Sequence, residues 1–334
     1  ESHQKKKKED KNRCLTGKLG LWAFLKKMSF NVCKICSLEF ESEKKLHMHL
    51  RSHKVTLAEY YIKYYPRHNL YTGDLLPFKN KEQYFGRDFS NRDQLLKWCN
   101  AQSDETVREY ILKMLKHRVE DKNLKFGPSH IELEVNEMPT IELYQKHFGS
   151  YTEACKAAGV LPMFGSRLPK EWGRKVDDSV KIFIDTREQQ PLEFPNSEFL
   201  KLDFGDYAVG KEHYDYTYAD RKSEQDFKST LSKNNLNRFE YELQRTKDFD
   251  SYLFVVTEGS INSIEKNNRW APHMSNMKYI YHNMRTLAHK FKGSCQFIFT
   301  GSREESEHLI PKILTLGKQL WDVDLQYYLD RKLI

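Results

Sequence analysis

The apolar positions change rhythm along the chain. From about residue 179 onward, short apolar runs alternate with longer stretches of helical periodicity. Lys181–Glu188, Phe199–Phe204, Tyr214–Ala219, Tyr252–Gly259 and Gln296–Thr300 read as strands. Arg238, Phe239 and Glu242 lie on a helical segment. Met277–Lys292 predicts a helix with Ile280, Met284, Leu287 and Phe291 on one face, and Ser302, Glu304 and Glu305 open a last helix to about Trp321. Strands alternating with helices predict an α/β sheet covered on both sides over 179–334. Earlier in the chain the signal is helical. Leu57–Tyr65 and Asn91–Cys99 flank a Gly- and Pro-containing stretch from Pro66 to Arg92. Ser103 then caps a helix with Val107, Tyr110, Ile111, Met114 and Leu115 on one face.

Residues 128–162 are sharper. Pro139-Thr140 opens a short helix carrying Ile141, Leu143, Tyr144 and Phe148, Gly149 turns the chain, and Ser150 with Glu153 predicts a capping box for a second helix ending at Gly159. Residues 163–178, with Pro169, Gly165 and Gly173 among basic residues, read as a linker.

Charge is uneven. Residues 1–54 hold 14 of the 55 Lys and Arg and 6 of the 47 Asp and Glu, which leaves 41 of each sign in the remainder. The whole excess of +8 therefore sits in the leader and the segment after it. Such a segment attracts phosphate backbones without reading sequence; Lys5-Lys6-Lys7-Lys8 also fits a solubilising tail or a nuclear localisation signal. Residues 1–27 are expected to be a basic extension with no fold of its own, Met28 being a plausible start of the domain proper because the chain opens at Glu1. The apolar run Leu19–Leu25 is far too short to span a bilayer, and no membrane partner is expected. Cys14, Cys99, Cys155 and Cys295 are scattered without a disulfide framework, which suits a reducing interior. The expected location is intracellular: a bacterial host's cytoplasm or nucleoid for a phage gene, the nucleus for a eukaryotic one.

Cys33-x-x-Cys36, twelve residues, His49, three residues and His53 have the spacing of a structural zinc site, which wants a closed tetrahedron of sulfur and nitrogen. Phe40 and Leu46 stand where a small ββα finger over 28–56 keeps its core, and His47 falls off the ligand phase, as an exposed residue. Zn²⁺ binding would supply the folding free energy of so small a module. If it reads DNA, Arg51 is the residue expected to meet it, over about 3 bp; many fingers bind proteins instead.

Gly205-Asp206, then Asp220-Arg221-Lys222, then Asp226 place two acids and a lysine at the ends of two apolar runs. Neighbouring strands ending this way would bring both carboxylates to one edge of a sheet. Carboxylate oxygens are ligands for Mg²⁺, and a lysine nearby can stabilise charge building on phosphate oxygens. This order resembles the XPF-type branch of the PD-(D/E)xK nucleases, from about Lys181 to Gly259, with Asp220 standing where that family has Glu. The resemblance implies a restriction-endonuclease-like α/β domain over 179–334. It implies that Asp206 and Asp220 hold Mg²⁺ or Mn²⁺, and that Lys222 polarises the scissile phosphate or orients water. Asp185, Glu188 and Asp226 are further candidates, for metal or for positioning Lys222, and Arg238 for a phosphate or for ordering the helix it sits on.

Residues 128–162 also resemble the homing-endonuclease-associated repeat, which implies that Ser150, Tyr151 and Lys156 meet DNA. The alternative is a helical hairpin that only packs. Together these readings predict a multidomain protein: a small finger, a mostly helical middle region over 57–127, the repeat-like module, and a nuclease domain. The expected function is a metal-dependent endonuclease on duplex DNA, site-directed and homing-type. No Gly-rich ATP loop is present, so no ATP is expected, and a homodimer stays open. The rivals are a structure-specific flap or fork nuclease and an inactive zinc-finger DNA-binding protein.

Overall fold

The computed structural model describes residues 31–332. The extension 1–27 and Met28 lie outside the described residues. The chain divides into two compact units, one through Val107 and one from Arg108.

In the first unit an antiparallel bridge pairs Val32 with Glu39, and α1 (Glu43–His49) runs into a 3-10 turn, Leu50–His53. Ser42 caps α1 by accepting from the Lys45 N–H. Next come α2 (Leu57–Tyr64), α3 (Lys81–Gly86) and α4 (Arg92–Ala101). Thr56 and Glu59 form a complete capping box on α2. The stretch 66–92 is less open than its Gly and Pro content predicts: it holds α3, and its Phe78 stacks on Tyr61 with ring centroids 5.2 Å apart. Cys33, Leu46 and Leu50 are buried in one cluster with Tyr60, Tyr61, Tyr65, Leu76 and Tyr84. The segment with the Cys and His spacing therefore shares its core with α2 and the chain after it. His47 is half-buried, 3.0 Å from the Tyr61 hydroxyl, rather than exposed.

α5 (Asp104–Asp121) contains the point of division; Ser103 accepts at its start from the Thr106 N–H, and Val107, Ile111 and Leu115 are buried on one side. Three short helices follow, α6 (His130–Val135), α7 (Ile141–Phe148) and α8 (Tyr151–Ala157). The segment expected to be a linker, 163–178, packs instead. It buries Met163 and, in a 3-10 turn, Trp172, while Ser166 bridges Val323. Its Pro and Gly content marks a loop, but a loop carrying large apolar side chains can still bury them.

The rest is one six-stranded mixed sheet in the order β2-β1-β3-β4-β5-β6. The strands are β1 (Ile182–Asp185), β2 (Ser197–Leu200), β3 (Tyr207–Val209), β4 (Thr217–Lys222), β5 (Tyr252–Thr257) and β6 (Cys295–Phe299). β3 is antiparallel to both neighbours, and the other pairings are parallel. β5 is buried throughout and alternates perfectly between the two faces. Leu253 and Val255 pack with Phe227, Phe239, Leu243 and Leu287. These come from α9 (Glu224–Thr230), α10 (Leu236–Asp248) and α12 (Met277–Lys290); α11 (Ile261–Trp270) adds Ile264 to that layer. Tyr252, Phe254 and Val256 pack the other way, against Ile310, Ile313 and Leu314 of α13 (Arg303–Leu316), Trp172, and Leu325 of α14 (Leu325–Asp330). A strand buried on both faces must be apolar on both, hence its unbroken run.

Two expected strands differ from their apolar runs. Phe199 and Leu200 lie exposed on the edge strand β2, whereas Leu202 and Phe204 reach the core from the loop that follows. β4 begins only at Thr217, because Tyr216 has φ +69° and breaks the extended chain before it.

Candidate active site and metal centre

The antiparallel pairing of β3 and β4 brings the acids together. Asp206 immediately precedes β3, while Asp220 and Lys222 close β4, so the start of one strand meets the end of the other. The expectation that both acids close strands is corrected for Asp206. Its backbone is held on both sides: the Asp206 N–H donates to the Ala219 carbonyl at 2.9 Å, and the Asp185 N–H donates to the Asp206 carbonyl at 2.8 Å. Its Oδ2 accepts from the Arg221 N–H at 2.8 Å. Gly205 makes the approach possible. Its φ is +60°, and a Cβ there would stand 2.7 Å from the Ala219 carbonyl oxygen.

Alternation along β4 sorts its side chains. Tyr218 belongs to the core under α9 and α10, and Ala219 to the opposite one, so Asp220 and Lys222 share the Tyr218 face while Arg221 takes the other. Lys222 Nζ donates to Asp220 Oδ1 at 2.8 Å and lies 6.0 Å from the centroid of the Phe239 ring on α10. Asp220 is 3% exposed; among the described residues no N–H or hydroxyl donor reaches its buried Oδ2, and its carboxylate lies within hydrogen-bonding reach of the Asp206 carboxyl. Burial and then the Asp220 carboxylate push the Asp206 carboxyl well above the usual range. For Lys222, burial alone would lower the ammonium, but Asp220, with Asp206 and Glu242 beyond it, holds it up at about 12.

A buried carboxylate oxygen with no N–H or hydroxyl donor, beside a second carboxyl that resists ionisation, is a site short of positive charge. Asp206 and Asp220 fit a hard divalent cation such as Mg²⁺, whose ligands are oxygens.

The other candidates divide. Asp185 is buried but already satisfied: Arg187 donates to it from Nε, Nη2 and its backbone N–H, and the Leu202 N–H adds a fourth bond. Burial would raise its carboxyl, yet these donors hold it below the usual range. Glu188 serves the opposite face, where Arg221 is pinned by Glu188 and Glu258 at 3.1 Å each. Asp226 is exposed and bonded to Ser223 at the start of α9, so Lys222 takes its bond from Asp220 and not from Asp226. Arg238 is exposed on the first turn of α10.

Glu242 was not singled out as a site residue from the sequence. Its carboxyl is raised by burial and by Asp220, while Lys222, Arg187 and the Gly205 N–H act the other way. The available signal was its place three residues after Phe239, on the same helix face.

In the first unit Cys33, Cys36, His49 and His53 offer ligand atoms that all lie within 4.8 Å of one another. Cys33 Sγ is 3.7 Å from His53 Nε2, Cys36 Sγ is 3.2 Å from His49 Nε2, and the two Nε2 atoms are 3.0 Å apart. A tetrahedral zinc with ordinary bond lengths separates sulfur from nitrogen by about 3.6 Å and nitrogen from nitrogen by about 3.3 Å. The donor set fits. Where a ββα finger was expected to have two strands there is a single bridge, and Arg51 is exposed beyond α1.

Among the repeat-like residues, Ser150 Oγ is taken by the Glu153 N–H as the cap of α8, and the Tyr151 hydroxyl donates to the Pro128 carbonyl at 2.7 Å. Lys156 is exposed and bonded to Glu153.

No curated protein matches the chain. Among solved structures, XPF from Aeropyrum pernix in complex with DNA is similar at 18% identity, over 42% of this chain and 66% of that one, with a TM-score of 0.32. XPF from Aeropyrum pernix in a second structure gives 18%, 46%, 73% and 0.30. The family model of the ERCC4 domain, the XPF-type nuclease domain, matches residues 184–313, the stretch that carries Asp185, Asp206, Asp220 and Lys222.

Proposed function

We propose that this chain is a metal-dependent endonuclease that hydrolyses phosphodiester bonds in DNA. The observation that carries the reading is the buried pair of acids, Asp206 and Asp220, with Lys222 bonded to one of them, within the part that matches the ERCC4 domain. A divalent cation bound there supplies positive charge at the cleaved phosphate and lowers the pKa of water. The protein's own groups do the rest. Asp206 and Asp220 hold the cation. Lys222, charged at neutral pH, faces the phosphate and stabilises the charge that builds on its oxygens. Phe239 and the layer of α10 keep one side of the lysine dry, which strengthens that interaction. Asp185 and Arg187 tie the chain before Leu202 to the end of β1, and Arg221 with Glu188 and Glu258 anchors the far face. These are positioning roles.

The Cys/Cys/His/His cluster is assigned to structural zinc. Site-directed, homing-type cutting of duplex DNA would rest on that module and on exposed Lys156 and Arg51. The ERCC4 match favours a second reading, cutting at forks or flaps. The test offers the purified full chain a pool of long duplexes and a forked DNA, each with Mg²⁺, with Lys222→Ala as control. Discrete duplex fragments support the site-directed reading, and cutting confined to the fork supports the second. The control should lose about 10²- to 10³-fold in rate. No cutting of either DNA would remove the enzyme reading and leave a zinc-binding DNA-binding protein.

A further inference from the structure

Tryptophan is rarely left in water, because its large apolar surface is costly to hydrate. Trp270, at the end of α11, is 83% exposed, and Met274 in the following loop is 70% exposed. Neither is there by slackness of the chain. Buried Asn268 clamps the loop like a neighbouring strand: its Nδ2 donates to the Ser275 carbonyl at 3.0 Å, and its Oδ1 accepts from the Ser275 N–H at 2.9 Å. Between these anchors, Trp270-Ala271-Pro272-His273-Met274 forms a short elbow stiffened by a proline. The Trp270 ring therefore stands in solvent at the start of an anchored loop.

Charge identifies the kind of partner. From Lys266 to Tyr279 the chain carries Lys266, Arg269 and Lys278 and no acid; all three cations are exposed, and Arg269 lies 3.7 Å from Glu265 one turn earlier on the helix. Aromatic rings set among cations are what single-stranded nucleic acid requires: bases stack on the ring, and phosphates meet the charges. A protein partner built around an apolar anchor would not need the basic surround.

Position ties this elbow to the nuclease site. α11 starts where β4 and β5 end side by side, with the Glu258 N–H donating to the Lys222 carbonyl. Glu224, two residues after Lys222, accepts from Ser263 and Asn267 of α11. The rise of the helix puts Trp270 roughly 14 Å from its first residue, about four base steps along DNA.

We infer that Trp270 is a stacking platform for an unpaired base of the DNA substrate, a few nucleotides from the cut. The inference rests on the nuclease reading for its substrate and deepens it: the DNA would have to expose single-stranded bases beside the cleaved bond.

The test uses the full chain without added Mg²⁺, so that binding is read apart from cutting. Fluorescence anisotropy compares a forked DNA having single-stranded arms with a fully paired duplex of the same sequence. Trp270→Ala should weaken fork binding about 5- to 100-fold and leave duplex binding within about twofold, while Trp270→Phe retains most of the affinity because it keeps a ring. Unchanged fork binding in Trp270→Ala overturns the platform, as does an equal loss on both DNAs or no fork binding by the parent protein. Cleavage with Mg²⁺ is measured separately on the parent. Cutting without a Trp270 effect removes the platform alone. A Trp270 effect without any cutting removes the nuclease reading and keeps the platform.

Discussion

Lys222 Nζ lies 2.8 Å from one oxygen of Asp220, and no N–H or hydroxyl donor among the described residues reaches the buried other oxygen of that carboxylate. A single ammonium half-satisfies one acid, and the charge of Asp220 keeps Asp206, next to it, from ionising. Burial makes this arrangement expensive in the free protein. The fold tolerates it because β3, β4 and β5 are fixed by cores on both faces.

That relationship sets function against stability. Asp206 is raised to about 9 by burial and by Asp220, so at neutral pH the metal-free fold must hold protonated a carboxyl that is ionised in the unfolded chain, which costs stability. Asp206→Asn removes that cost and keeps an acceptor for the Arg221 N–H. The variant should melt higher than the parent in the absence of Mg²⁺, by about 2–4 °C for each kcal/mol relieved, and should show no cleavage with it. A lower melting temperature would mean that burying this carboxyl is not a burden.

The acids Asp206 and Asp220 and Lys222 were legible because a glycine, two acids and a lysine lie within a short stretch whose spacing carries the signal. β1, β5 and β6 were legible for a different reason. Strands buried on both faces leave unbroken apolar runs, and nothing polar interrupts Tyr252–Val256. The run Phe199–Phe204 misled because Leu202 and Phe204 fill the core from a loop, which apolar content alone cannot tell from a strand. Glu242 joins the acids only because α10 folds back over β4, a long-range event without local signature. Trp172 shows the same limit: its neighbours mark a loop, and its burial depends on α13, more than 100 residues away.

His130 supplies a pH test away from the nuclease site. It is 1% exposed, with Nε2 2.9 Å from Asp330 and its backbone N–H donating to Asp324. Burial pulls its pKa down, but Asp330, Asp324 and Glu134 outweigh that, and the net shift is upward from 6.5. A His raised in the folded state contributes stability that is fully present below 6.5 and lost as pH rises through the elevated value. Asp330→Asn should therefore cost about 1 kcal/mol near pH 6, allowing for the half-exposed Asp330, and less at pH 9. Urea titrations at the two pH values check it; a pH-independent loss would place the effect elsewhere.

Zinc content tests the first unit. The parent should carry one zinc per chain by atomic absorption, and Cys36→Ser should carry none. Because Cys33, Leu46 and Leu50 share a core with Tyr60, Tyr61 and Tyr84, losing the metal should loosen α2 as well as the finger. Apparent zinc binding in such modules is worth on the order of 10 kcal/mol. Hydrogen exchange at Tyr60–Tyr65 should rise in Cys36→Ser; unchanged protection there would show that the aromatic core holds the finger without metal.

Gly205→Ala isolates how closely the chain must approach at the acid pair. Two costs are expected. Alanine at φ +60° is strained by about 1–2 kcal/mol, and its Cβ would meet the Ala219 carbonyl oxygen at 2.7 Å and Leu253 Cδ1 at 3.0 Å. Neither neighbour can yield, since the carbonyl accepts from the Asp206 N–H and Leu253 is buried in β5. Gly293→Ala makes the control: its φ is +93°, and nothing lies within 4 Å of a Cβ there. It carries backbone strain without the clash. Gly205→Ala should lower the melting temperature more than the control, and it should displace Asp206 against Asp220. A shift of about 1 Å can cost on the order of 10²-fold in rate, so cleavage should fall far more than stability. Equal effects of the two substitutions would mean that Gly205 is kept for its turn alone, and that the distance between β3 and β4 does not set the geometry of the acids.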